Sequence, residues 1–318
     1  MYQNLGLKIH NWVIGQNPWT NVYGFARSLL ALSTLLTLLL NDVTTFFRPI
    51  AGVDTYPNCA NNSISLFCLV PADYFYLNIA KWIAIVILFV TISGWRPRIT
   101  GVLHWWVAYS FQTSAVTLDG GEQVAQVLTL LLVPITLTDS RKWHWKNVES
   151  NKYSVKNLHA RVVALIFLGC IKFQVSIIYF HAAVAKYFEV EWIDGTALYY
   201  YLSDPMLGLP GFLKTFADPI LSSPLVALLT WGTTVLEAFL FLGLFAKDKW
   251  KKPLLIGGIV LHASIAIMLG LISFSIIMFA ALILYLRPVD EHFNFRINKF
   301  FGFPTNKKIQ MIDEKRGA

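Results

Sequence analysis

Read as apolar and polar positions, the chain is a series of greasy stretches separated by short polar joints. Apolar segments run at 20–40, 74–94, 102–118, 123–138, 160–186, 224–246, 254–270 and 271–286. A helix rising 1.5 Å per residue needs about 20 residues to cross the hydrocarbon of a bilayer. The pattern therefore predicts an all-α fold, a polytopic transmembrane helical bundle of about eight spans. The least distinct boundary is Gly270, where two spans meet almost without a loop.

The joints alternate in charge. "WRPR" at 95–98, "RKWHWK" at 141–146, "KDKWKK" at 247–252 and the residues from Arg287 onward are basic. Lysine and arginine favour the cytoplasmic side of short loops, so these joints are expected inside. The joints 41–73, "DGGE" at 119–122 and 187–223 are then outside, and an even number of spans with both termini cytoplasmic satisfies every one. Residues 1–290 read as one membrane domain and 291–318 as a basic cytoplasmic tail lying along the anionic inner leaflet. The opening "MYQNLGLKIHNWVIGQNPW" lacks the pattern of a cleaved signal, so the first span is expected to stay in the mature protein.

Composition sharpens this picture. Of 318 residues, 56% are hydrophobic and 14% charged, and the mean hydropathy is +0.54; that is too little charge to clothe a soluble surface of this size. The net charge of +8 sits in clusters between apolar runs, which is the distribution of a topology signal and excludes nucleic acid as a partner. The bilayer is the surface the chain is built for.

Cys59 and Cys68 both fall in the first outside joint, where oxidising conditions permit a disulfide that staples the loop. A redox pair would want closer Cys-x-x-Cys spacing. Cys170, inside the fifth span, reads as a small packing residue.

Ionisable groups inside apolar spans are costly, so each is a candidate for function. On the fifth span Lys172, Ser176, Tyr179, Ala183 and Lys186 recur at steps of four, three, four and three, which puts them on one face. Two readings fit Lys186: an amine partly removed from water and usable as a general base, or a side chain snorkelling to the outer headgroups. Lys172, deeper in the span, is expected to pair with an acid of another helix, Glu237 of "TVLEAFLFLG" being the candidate. His262, in "GIVLHASIAIM", is either a hydrogen-bonded packing residue or a proton relay. Arg27 reads as a headgroup anchor, and His104, Trp105 and Trp106 as part of an interfacial belt. In "LDGGEQ", Asp119 and Glu122 either cap a tight turn or face the same compartment as Lys186. After the lysine, "YFEVEWIDGTALYYYL" offers Asp194 or Thr196 as cap of a short interfacial helix, which would lid whatever Lys186 faces. No metal site, phosphate loop, Gly-x-Ser-x-Gly or His-Glu-x-x-His spacing is present.

The stretch "YFHAAVAKYFEVEWIDG", with "DGGEQVAQVLTLLL" and "LHASIAIMLGLISFSIIMF", resembles the vitamin K-dependent gamma-carboxylases and the wider horizontally transferred transmembrane domain group, over roughly residues 20–287. In the carboxylases a lysine at the position of Lys186 initiates oxidation of the quinol on the lumenal side, and a histidine stands at the position of His262. The resemblance thus implies a reactive amine facing outward. It carries Lys186 and His262 over as catalytic candidates; near Glu122, the third candidate, the carboxylases carry a histidine instead, a departure that puts glutamate carboxylation in doubt. By their place in the chain Asp119, Lys172, Tyr179, Trp192 and Asp194 are the expected substrate contacts. The chain has no room for the large lumenal domain that holds substrate in the carboxylases, so a small partner subunit is expected to supply that function.

Within the group, the likeness is to bacterial plasma-membrane proteins that mature a secreted peptide-toxin precursor with such a partner, the active side outward and no cofactor required. Whether the chain is itself an enzyme stays open, since no serine is evidently paired with Lys186, and Ser176 lies about two and a half turns away. The alternatives are a carboxylase-like redox enzyme using a membrane quinone, and a non-catalytic scaffold for toxin export or protection.

Overall fold

The computed structural model describes residues 2–49, 55–59, 64–146 and 154–293. The basic tail expected at 291–318 lies outside them beyond residue 293. Thirteen α-helices are described: α1 Tyr2–Gly15, α2 Asn21–Leu40, α3 Val43–Phe46, α4 Tyr74–Ser93, α5 Pro97–Ser114, α6 Gly120–Thr138, α7 Val155–Ala185, α8 Val190–Ile193, α9 Ala197–Ser203, α10 Gly211–Leu221, α11 Leu225–Leu242, α12 Asp248–Leu269 and α13 Ile272–Leu286. Each of the eight apolar segments is a helix, to within a turn or two at its ends. Six of them, α2, α4, α6, α7, α11 and α12, are long and apolar enough to cross a membrane. The other two are α5, which carries Arg98, His104 and Gln112 within its 18 residues, and α13, with only 15 residues.

The shortest of the eight is the centre of the bundle. α13 packs against α2, α6, α7 and α12, and every residue from Ala280 to Leu286 is buried. A helix apolar on all sides belongs where other helices or lipid surround it, and here helices do. At the other extreme, α11 and α12 are mostly bare, their outward residues Leu228, Val235, Ile256 and Val260 exposed. In a protein of this composition such surface belongs to lipid.

α7, at 31 residues, is about 46 Å long, half as long again as the hydrocarbon core of a bilayer. Its overhang explains one departure from the sequence reading. The charged groups acting on Lys172 are Lys251 and Asp248, at the basic start of α12. Lys172 therefore lies toward the basic end of the bundle, not at mid-depth, and it does not pair with Glu237.

Several polar residues assigned to the surface are instead core. Arg27 is fully buried and is not a headgroup anchor: its guanidinium reaches His144 Nδ1 at 3.2 Å and donates to the Thr100 hydroxyl. Ser28 Oγ lies 3.3 Å from His144 Nε2 and donates to the Ile92 carbonyl. The "RKWHWK" joint folds inward to meet them. Arg141 forms a buried ion pair with Asp139 at 2.7 Å and donates to the carbonyls of His144 and Lys146. Gly94 makes this entry possible, because its φ of +83° is open to glycine and a Cβ there would strike the His144 ring at 2.5 Å. The His144 imidazole is pushed down to about 2, first by burial and then by the Arg27 and Arg141 charges. His104 is also buried, away from any interface belt, while Trp105 and Trp106 are half-buried. Cys170 faces outward from α7 and is not a packing residue.

Cys59 and Cys68 form the expected disulfide, Cα atoms 5.7 Å apart. It closes a separation of nine residues, and the loop around it is fastened separately to α5. Leu66 N donates to Ser110 Oγ and Asn58 N to the Ser114 carbonyl, and Phe46, Phe47, Phe67 and Phe111 cluster beneath.

Candidate functional site

The inward face of α7 is the stripe that the spacing outlines: Ser176, Tyr179 and Ala183 are buried and Lys186 ends the helix half-buried. Each polar member finds a partner on a different helix or segment. Ser176 Oγ donates to the Phe241 carbonyl of α11 at 3.0 Å. Tyr179 OH lies 2.9 Å from His262 Nε2 of α12. Lys186 Nζ donates to Glu237 Oε2 of α11 at 2.6 Å and to the Ala182 carbonyl at 3.2 Å, and stands 4.7 Å from the centre of the Trp192 ring. Glu237 is the partner that sequence reasoning gave to the wrong lysine. It stands twelve residues into α11, about 18 Å along the axis from that helix's start, so Lys186 does not reach up to headgroups at the end of α11.

Beyond Lys186 the chain doubles back. Asp194 Oδ1 accepts from Thr196 N and Oγ1, making a tight local turn. Gly195 occupies it with φ +85°, and a Cβ there would meet Ala227 Cβ at 2.7 Å, so this backbone lies directly on α11. Trp231 Nε1 donates to the Ile193 carbonyl and Thr230 Oγ1 accepts from Leu198 N. The expected short helix, α9, is thereby held above the lysine. α10, not expected from the sequence, completes the cover with Ala217, Ile220 and Leu221 beneath and Phe212 and Phe216 exposed above.

Under this lid is a cavity of about 460 Å³. Its wall is largely apolar, from Leu202, Leu229, Ile265 and Met268, and its polar groups include Lys186, Glu237, Trp192, Thr233 and Ser264. A concave apolar volume with a few convergent polar groups is the usual form of a small-molecule or side-chain site.

The structure brings together Lys186 and Trp192, and separately Tyr179 and His262. α12 offers Leu261, Ser264 and Ile265 to the cavity, whereas the His262 ring turns to Tyr179 and Phe274. His262 Nδ1 has no partner among the described residues. Asp119 and Glu122 belong to another place. Asp119 caps α6 through Gly121 N and accepts from Ser273 Oγ at 2.8 Å. Glu122 is buried and accepts from Thr34 Oγ1 of α2 at 3.0 Å. Asp194 serves its own turn, and Lys172 lies about 21 Å down α7 from Lys186. The wall of the Lys186 cavity includes none of Asp119, Glu122 and Asp194.

Comparison with known proteins bears on family rather than chemistry. No family model matches the chain and no solved structure does, so the carboxylase likeness rests on its quoted motifs. The chain is 48% identical over 295 residues to uncharacterized protein YitO of Bacillus subtilis (strain 168), covering 93% of this chain and 94% of that one. It is 40% identical over 285 residues to sporulation-delaying protein SdpB of the same organism, covering 89% of this chain and 86% of SdpB. At that identity and coverage the chain belongs to the family of sporulation-delaying protein SdpB.

Proposed function

We propose that the chain is the multi-span subunit of a bacterial plasma-membrane complex that matures a secreted, sporulation-delaying type of peptide toxin on the outer face of the membrane. A small partner subunit resembling sporulation-delaying protein A joins it. Kinship with SdpB supports the role in toxin production. The observation that carries the site is the Lys186–Glu237 ion pair at the edge of a lidded apolar cavity, where the precursor's apolar residues would lie. In that pair the ammonium has donors and no lone pair. Lys186 as it stands is a donor suited to a precursor carbonyl or carboxylate, and it acts as a base only after passing a proton to Glu237. Glu237 is therefore part of the proposed machinery, with Trp192 holding the ammonium from the opposite side.

The deciding experiment reconstitutes the chain with its partner and precursor in vesicles and weighs the products by mass spectrometry. Lys186→Met, at wild-type protein level, is expected to leave precursor unprocessed. Undiminished maturation would leave only a scaffold for export or protection. The apolar wall beside an amine also favours a second reading, a quinone-dependent redox enzyme. Solvent extraction of the purified protein is expected to yield no quinone if the peptide reading holds, and a stoichiometric quinone if it does not.

A further inference from the structure

α11 and α12 separate again at their other end, where residues 243–247 join them. There a second groove of about 510 Å³ opens, lined by Phe239, Leu242, Phe245, Trp250 and Leu254. It is within the roughly 300–1,000 Å³ range of ligand sites. Phe245 and Trp250 are exposed at its mouth, and an exposed tryptophan at the end of an apolar helix is a mark of headgroup depth. The joint and first turn of α12 beside it are basic: Lys247, Lys249 and Lys252 are exposed, while Lys251 is already engaged by Asp248 at 2.9 Å. Among the described residues no ion pair takes up Lys247, Lys249 or Lys252, though Lys249 leans over the Trp250 ring at 5.7 Å.

We propose that this groove binds an anionic phospholipid of the leaflet that the basic joints face, one acyl chain lying on Phe239, Leu242 and Leu254 and the phosphate held among Lys247, Lys249 and Lys252. Two observations converge on that occupant. The apolar trough ends at the level where the helices end, so a chain in it leads to a headgroup at the lysines. The charge of the joint is unbalanced, four lysines against Asp248 alone, which suits an anionic headgroup better than a zwitterion. The site is separate from the Lys186 cavity and stands whether or not the maturation reading does.

The test uses the full chain in detergent, offered phosphatidylglycerol or phosphatidylcholine of matched chains, with retained lipid counted by native mass spectrometry. Retention of phosphatidylglycerol at least fivefold above phosphatidylcholine is expected. The Lys247→Gln/Lys249→Gln/Lys252→Gln variant should lose that preference, and Arg98→Gln, which removes an exposed charge elsewhere, should keep it. Leu242→Trp, which fills the trough, should lower retention of both lipids. Equal retention of the two lipids by the wild type, or an unchanged preference in the triple variant, would overturn the proposal. So would displacement of phosphatidylglycerol by millimolar inorganic phosphate, which would mark an anion site without a chain, or a dimer that excludes lipid, which would put a second copy in the groove.

Discussion

The Lys186 ammonium and the Glu237 carboxylate are 2.6 Å apart, on α7 and α11, with both side chains largely withdrawn from solvent. Breaking such a pair costs more than never having made it, because the survivor stays buried and unpartnered. Glu237→Gln should therefore lower stability by about 1–3 kcal/mol, read from thermal melts in detergent. The Lys186→Met/Glu237→Met double variant should recover most of that loss and still fail to mature precursor. Recovery of maturation along with stability would show that the pair is only structural.

His144 yields a pH dependence of definite sign. Its folded-state value is depressed to about 2, against about 6.5 in the unfolded chain, so the unfolded state takes up the proton first as pH falls. The contribution of the neutral imidazole is complete above about pH 7 and is lost below about 6.5, at up to about 1.4 kcal/mol per pH unit. Between pH 7 and pH 5 the wild type should lose about 2 kcal/mol more than His144→Gln does. Parallel melting curves over that interval would show that His144 is already solvated.

Gly195 is held at φ +85° with Ala227 pressed against it. Gly195→Ala should cost about 1–3 kcal/mol in backbone strain and contact, and should loosen α9 from α11. The expected readout is faster protease cleavage within 189–210 with melting of the bundle itself little changed. Resistance equal to wild type would mean that the turn is not what fastens the lid.

Tyr179 and His262 tie α7 to α12 behind the cavity wall. Removing the hydroxyl with Tyr179→Phe should cost about 1 kcal/mol, with maturation per folded molecule within about twofold of wild type. A much larger fall in maturation would make the pair a proton path to Lys186.

Much of the architecture is legible in the sequence because the bilayer imposes a length and an apolar composition on each span. Six of the eight expected helices follow from those two constraints, and the inward stripe from Ser176 to Lys186 follows from helical spacing. What escapes is axial register. Lys172 and Lys186 lie on the same face fourteen residues apart, and which of them meets Glu237 depends on how far α7 slides along α11. Periodicity does not encode that slide. Arg141 and His144 escape for another reason: a charge in a short joint reads as a topology signal whether it points to water or, as here, folds back onto Asp139 and Arg27, and Arg27, near the start of α2, reads as an anchor until Thr100 and His144 are seen to meet it. α10 is missed because an 11-residue helix with a proline, Pro219, inside it is too short to register as a span. The disulfide is legible from its compartment, and its short reach from the two positions themselves.

The placement of α13 has a consequence for biogenesis. Among the described helices it is the final one to leave the ribosome, yet it occupies the axle of the bundle, touching α2, α6, α7 and α12. Until those fifteen residues are made, α2, α6, α7 and α12 lack the one helix against which all four pack. A chain halted before Ile272 would thus leave the inward faces of those four helices without their common partner.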